Sequence, residues 1–541
     1  TVNGGIYNLN GNSDTIGALT LRGGTVTTGA GTITLGGNLT SIANGNVASL
    51  VTGNLGLGAN RVFDVGDGLM DNDLVVSAVV SGAFTVTKST GAGVMVFAGD
   101  NSYTGLTTVS SGALRLGASG GGTNTPLGTT GAGTTISGAS SALDLNGFTL
   151  GTTEALTLSG ALATGALQNQ SSAAVNYSGL ITLGAASTII ANYGDINITN
   201  GGNITGNTFA LTIGGAGNGT LASNLNTTTG TLTKNGLGLW TISGGASTFT
   251  GATTISAGTL KLGAAGSGSN TPLGTSAGGV SITSGAIFDL NGFTLATAEA
   301  LAINGTGIAS IGAFINSSNN SISYSGVITP GANSRLANYG TGLFTLTGNI
   351  VGSTRTLTFV TVGNMTQSSA SVWSGTSTSL IKEGSGTLIL AGQNSFTTGT
   401  VTVSTGKLQL GASGGATNTP LGTSGAGTTV ASGAVLDFST FSLGGASTYE
   451  TLNISGSGIK NTGALAFAAA GNNNFGAMTI AANARVINSG SGTVTFGGAI
   501  TAANNINFGI GGTGPITIAG AYSAATSATI TKRDAGTTTI T

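Results

Sequence analysis

Apolar residues in this chain come in twos and threes, alternate with threonine or serine, and never run long. T-T-I-S from Thr253, T-L-K-L from Thr259, T-L-I-L from Thr387 and V-T-V from Val401 are representative. A period of two, rich in β-branched residues, predicts strands with one buried face. Gly, Asn or Ser-Gly closes each strand after about 3–6 residues. Helix signals are poor: glycine is everywhere, and the Ala-rich segment 464–470 is too short to show a 3.6-residue stripe. Short strands between tight turns along the whole chain predict an all-β fold, a β-solenoid. Each coil adds one strand to each of its parallel sheets, with coils roughly 4.8 Å apart. At about 20–25 residues per coil, 541 residues give on the order of 22–27 coils and one continuous rod of about 100–130 Å.

The strands belong to a longer repeat. Residues 233–263 read T-K-N-G-L-G-L-W-T-I-S-G-G-A-S-T-F-T-G-A-T-T-I-S-A-G-T-L-K-L-G, and the pattern occurs also at residues 87–117 and 381–411. A fourth copy begins at Ile530. Lys88, Lys234, Lys382 and Lys532 hold the same register, 146, 148 and 150 residues apart. The loop motif T-N-T-P-L-G at residues 123–128 recurs at 269–274 and 417–422. L-D-L-N-G-F-T-L from Leu143 recurs from Phe288 and, more loosely, from Leu436, which places Asp144, Asp289 and Asp437 in register. We therefore divide the chain into a partial super-repeat (1–85), three super-repeats (86–231, 232–379 and 380–529) and the start of another (530–541). Nothing Pro-rich or charged separates them, which favours one continuous solid over linked beads.

Composition narrows the function classes. Charged residues are 5% of the chain, so uncharged Thr, Ser and Asn must form most of the surface. Mean hydropathy is +0.34, yet no apolar run approaches the roughly 20 residues of a membrane-spanning helix. A net charge of −1, with Lys532-Arg533 the one adjacent basic pair, argues against nucleic acid and against anionic lipid. Cysteine and histidine are absent, which removes disulfides, thiolate and imidazole metal sites, and a Ser-His-Asp triad. The chain opens without a Met or a leader and stops mid-pattern, as expected for a segment of a longer polypeptide.

The three 31-residue stretches resemble the passenger-associated transport repeat, also called the autotransporter-associated β-strand repeat. That family reads, loosely, L-T-K-x-G-x-G-T-L-x-L-x-G-x-N-x-[YF]-x-G-x-T-x-[VI]-x-x-G-x-L-x-L-G. Its aromatic falls at Tyr103, Phe249 and Phe396. The resemblance implies a right-handed parallel β-helix outside a Gram-negative-type bacterium, within a large surface protein that serves as adhesin, surface layer or stalk. The chain shows no membrane barrel of its own, whose strands would be roughly 10 residues with aromatic girdles.

Few residues stand out as candidate chemistry. Tyr103, Phe249 and Phe396 admit a sugar-stacking track, but one aromatic per roughly 30 Å is too sparse, and core or turn packing is the better reading. The register lysines and Asp144, Asp289 and Asp437 recur together, as do Glu154, Glu299 and Glu450; Arg115 and Lys261 match, but the third copy has Gln409 there and Lys407 two residues earlier. Such charges build either axial ion-pair rows or duplicated surface charges, and we prefer the second, since exposed pairs contribute only about 0–1 kcal/mol. Asp64, Asp67, Asp71 and Asp73 lie within D-V-G-D-G-L-M-D-N-D. Calcium is the cofactor such carboxylates would take, although the spacing is not an EF-hand loop and a solvated acidic loop is the plainer reading. No catalytic residue is assigned: the acids outside that stretch repeat with the scaffold, whereas a catalytic site breaks a repeat.

The expectation is a non-enzymatic, extracellular structural protein, a rigid rod that displays, spaces or adheres, with neighbouring repeats of its own chain as partners. Lateral or end-to-end assembly fits its uncharged faces. The alternatives are an adhesin for a glycan or protein ligand and, less favoured, a polysaccharide-active enzyme.

Overall fold

The computed structural model describes residues 1–352, 354–423, 427–443, 450–468 and 473–541. Their regular structure is almost entirely strands, most of them short and joined by turns, and the two helical elements are single 3₁₀ turns, Ile308–Ser310 and Ile459–Asn461. No helix among the described residues is long and apolar enough to cross a membrane. Leu465–Phe467 of the Ala-rich segment is a strand; residues 469–470 lie outside the described set. The chain forms two compact units, Thr1–Gly278 and Gly279–Thr541.

The first unit is a β-solenoid of parallel stacked strands. One stack passes through Arg61–Val65, Val86–Ser89, Thr107–Val109, Thr134–Ile136, Leu156–Leu158, Ile181–Leu183, Asn203–Thr205 and Asn224–Asn226. Successive strands of this stack start 21–27 residues apart, which is one coil. A second stack runs from Val94–Phe97 through Gly112–Leu116, Ser141–Asp144, Leu167–Asn169, Ser187–Ala191 and Leu211–Gly215 to Leu232–Lys234 and Thr253–Ile255. A third adds Val175–Tyr177, Ile196–Ile198, Gly219–Leu221, Leu239–Ile242 and Thr259–Leu262.

Most three-residue strands point in, out, in, while Asn203–Thr205 and Asn224–Asn226 point out, in, out. The inward positions hold the core: Val109, Ile136, Leu158 and Leu183 lie one above another, all buried. The outward position is mostly threonine, whose branched Cβ suits a strand and whose hydroxyl faces water. Thr87, Thr108, Thr135, Thr157, Thr182 and Thr205 form one such ladder, continued by Asn226.

The second unit follows the same plan. Ser379–Glu383 leads through Val401–Val403, Thr428–Val430, Leu452–Gly456, Met478–Asn488 and Ile500–Ala502 to Tyr522–Ala524. Thr387–Leu390 leads by its own stack to Asn507–Gly511 and Thr529–Lys532.

The sequence repeat is not a whole number of coils. Lys88 starts in the first stack and Lys234 lies in the second, six coils and one face further on. In the second unit Lys382 and Lys532 are separated in the same way, the first in the Ser379–Glu383 stack and the second in the Thr387–Leu390 stack. The register lysines therefore cannot form an axial row. Within each unit, the two copies of the motif are offset by one face of the coil.

Candidate functional site

The lysine of the recurring motif is a charged side chain placed at the same point of all three copies. It occupies an inward strand position, between Ile213 and Ile255 for Lys234 and between Phe359 and Val403 for Lys382. Lys88, Lys234 and Lys382 are all buried, which corrects the reading of them as duplicated surface charges. Their stems pack in the apolar column, and the ammonium turns to the corner where the strand ends.

There it meets carbonyl oxygens. Lys234 Nζ donates to Asn235 O at 2.8 Å and Gly236 O at 2.9 Å in its own turn, and to Ala257 O at 3.0 Å in the next coil. Lys382 does the same with Glu383 O, Gly384 O and Thr405 O, at 2.9, 2.8 and 3.0 Å. Lys88 reaches Gly91 O at 3.1 Å and Ser111 O at 2.7 Å. At Lys234 and Lys382 three donors on the ammonium match three acceptors, and at Lys88 two carbonyls receive it, so the buried charge is held by backbone oxygens. Burial pulls each of the three lysines down to about 8, and for Lys88 the negative charge of Asp64, Asp73 and Asp67 acts against that pull. Lys532 is exposed and donates to Asp534 O.

Each cage closes on a glycine. Gly112, Gly258 and Gly406 have φ of +65°, +66° and +71°, and a Cβ on any of them would come within 2.6–2.7 Å of the lysine Nζ. The signal was present in the sequence: each glycine lies 24 residues after its lysine in all three copies.

The aromatic of the motif secures the T-N-T-P-L-G loop. Tyr103, Phe249 and Phe396 are buried, so the reading as core holds and no sugar track is available. Gly128, Gly274 and Gly422 of the loop lie directly against these rings. The residue after each donates its N–H to the aromatic residue's carbonyl: Thr129 to Tyr103 at 3.0 Å, Thr275 to Phe249 at 3.0 Å and Thr423 to Phe396 at 3.1 Å. Asn101 Nδ2 and Asn394 Nδ2 hold Pro126 O and Pro420 O at 2.6 and 2.7 Å.

The register acids complete the frame. Asp144 Oδ2 accepts from Arg115 Nε at 2.8 Å, while Oδ1 accepts from the N–H of Asn146 and of Gln170. Asp437 Oδ2 pairs with Lys407 Nζ at 2.8 Å. Lys407 reaches it diagonally, because Gln409, not Lys407, lies opposite Asp437, so the charge lost at Gln409 is supplied two residues earlier. Asp289 takes the N–H and hydroxyl of Ser317. Glu154 and Glu450 are buried and accept from Thr134 Oγ1 at 2.9 Å and Thr428 Oγ1 at 2.8 Å. Burial lifts both carboxyls to about 7, against the lowering effect of those hydroxyls. Glu299 is held instead by Thr297 Oγ1 at 2.7 Å.

The acidic stretch is occupied by the protein's own donors. Asp73, largely buried, accepts from Gly68 N and Val94 N, and Asp64 from Gly91 N. Arg115 Nη1 donates to Asp71 O and Asn72 Oδ1. Among the described residues no three acidic side chains are grouped to hold a metal ion.

Residues 90–116, 232–262 and 380–410 match the model of the passenger-associated-transport-repeat family. Searches of curated proteins and of solved structures returned no significant match.

Proposed function

We propose that this chain, which carries three passenger-associated-transport repeats on stacked β coils, is a structural segment of a secreted bacterial surface protein. On this reading it is a non-enzymatic, passenger-like stalk on the outside of a Gram-negative-type cell, where it spaces, displays or adheres. One observation carries the reading. In all three copies the lysine and the aromatic of the motif are buried, and the lysine is spent on joining one coil to the next. A site kept for a soluble ligand presents such groups to solvent.

The uncharged threonine ladders support a second element of the proposal, close lateral packing of such stalks with little charge repulsion. Immuno-electron microscopy of source cells tests the proposal. Label on thin projections outside the cell envelope is expected, and label confined to the cytoplasm overturns it.

A further inference from the structure

The second unit contains a place where the repeat is broken. Arg335 and Arg485 are the same position of successive super-repeats, 150 residues apart. Arg335 pairs with Glu383 at 2.8 Å, and Thr358 lies opposite it in the sheet. Beside it the outward Ala337 and Val360 pack with Ile287, Ile315 and Tyr339. At Arg485 these surroundings differ, with three changes on its outer side. Gly509 lies where Thr358 lies, Gly511 stands for Val360, and Arg533 stands for Glu383.

The changes open the surface. A Cβ on Gly509 would meet Arg485 Cγ at 3.3 Å, and one on Gly511 would meet Asp534 Oδ2 at 2.5 Å and Arg485 Nη2 at 2.6 Å. The result is a cleft of about 400 Å³. That falls in the range of small-ligand sites, roughly 300–1,000 Å³. Its far wall is the loop that carries the 3₁₀ turn Ile459–Asn461, with Lys460 and Asn461 at φ of +49° and +63°. The loop is held by Gly463 N to Ser457 O at 2.8 Å and by Arg485 Nη1 to Asn461 O at 3.2 Å.

The chemistry of the cleft is one-sided. Arg485 and Arg533 both line it, while the one nearby acid, Asp534, is taken up by Arg485 Nη2 at 2.7 Å and Gly512 N at 2.9 Å. Arg485 Nε is buried and has no hydrogen-bond partner. Nε of Arg335 and of Arg355 also lack one, so what sets Arg485 apart is Arg533, which lines the cleft with it and stands in place of Glu383. Ser432, Ser457, Asn461, Asn483 and Asn507 supply hydroxyls and amides around the two guanidiniums. Guanidinium groups favour a carboxylate, and neutral amides and hydroxyls favour sugar hydroxyls. Ala484 is the one apolar side chain in the lining, which gives a peptide side chain little to bury against.

We infer that this cleft binds a carboxylate-bearing saccharide, an acidic sugar unit of a surface polysaccharide. The inference is independent of the stalk role, and its failure leaves that role untouched. The test is calorimetric titration of the whole chain with an oligogalacturonate, with its fully methyl-esterified form, and with an oligo-aspartate peptide. Arg533→Glu restores the residue of the preceding super-repeat at an exposed position, and Gly509→Thr restores the filled floor. Saturable binding of the acid is expected, weakened at least tenfold by esterification and by either substitution, with the circular dichroism spectrum unchanged. Equal binding of acid and ester, equal binding by the Arg533→Glu variant, tighter binding of the peptide, or no heat at millimolar oligosaccharide overturns it.

Discussion

Gly258 lies over the ammonium of Lys234: a Cβ added there would be 2.7 Å from Nζ and 2.5–2.6 Å from the carbonyl oxygens of Gly236 and Gly238. With φ at +66° the position also disfavours any other residue. Gly258→Ala combines left-handed strain of about 1–2 kcal/mol with a clash against backbone. We expect it to lower the urea midpoint read from the buried Trp240, whereas alanine at Gly285, which has open space around its Cβ, is expected to lower it less. Equal effects would remove the cage from the explanation.

A half-lost hydrogen bond distinguishes the copies. In the first, Tyr103 OH meets Thr107 Oγ1 at 2.6 Å, and Thr107 also donates to Leu127 O at 3.0 Å. In the second, Phe249 replaces the tyrosine and leaves Thr253 Oγ1 buried without a partner. In the third, Val401 takes the threonine's strand position beside Phe396. Thr253→Val is therefore expected to stabilise by about 1 kcal/mol, since a buried unsatisfied hydroxyl is removed at constant shape. Thr107→Val is expected to destabilise. Both are read from urea midpoints, and a destabilising Thr253→Val contradicts the packing described.

Stability is expected to be lowest near neutrality. Glu154 and Glu450 rise from 4.5 to about 7 on folding, so between those values the folded state holds more protons and stability falls as pH rises. Lys88, Lys234 and Lys382 drop from 10.5 to about 8, so between about 8 and 10.5 the unfolded state holds more protons and stability climbs with pH. Urea midpoints from Trp240 and Trp373 are expected to pass through a minimum between about pH 7 and 8. A maximum there would reverse the assigned burial effects.

The rotation of the repeat is open to a ruler. The chain has no cysteine, so introduced thiols can be labelled without background. Thr87 and Asn226 share one ladder six steps apart, about 29 Å at roughly 4.8 Å per step. Thr233 is on the next face. Spin labels at Thr87 and Asn226 are expected to be closer than labels at Thr87 and Thr233, although Thr233 is the sequence equivalent of Thr87. The opposite order would mean that the repeat closes on whole coils.

The strands were legible because Val-Thr-Val and Thr-Leu-Ile-Leu alternate and Gly-Asn turns end them, and both features are local. The burial of Tyr103, Phe249 and Phe396 was legible from their sparse spacing. The burial of Lys88 was not, because a lysine in an alternating segment reads as outward until the corner carbonyls that receive it are known. Those carbonyls, such as Ser111 O and Ala257 O, come from the next coil. The one-face rotation was hidden for the same reason: the period of 146–150 residues is a property of the sequence, while the coil length varies from 21 to 27 residues with its turns. The Arg485 cleft was not legible because it depends on departures from the repeat, at Gly509 and Arg533, which the repeat pattern does not predict.

The central claim is that the motif lysine joins two coils. Lys234→Met keeps the length of the stem and removes the ammonium, which leaves three inward carbonyls without their donor. The expected cost is about 2 kcal/mol, near a thirtyfold change in local opening. Hydrogen exchange followed by mass spectrometry should show that acceleration in Leu232–Lys234 and Thr253–Ile255, with strands such as Val86–Ser89 unchanged. Unchanged exchange in both strands of the Lys234 pair would contradict the account.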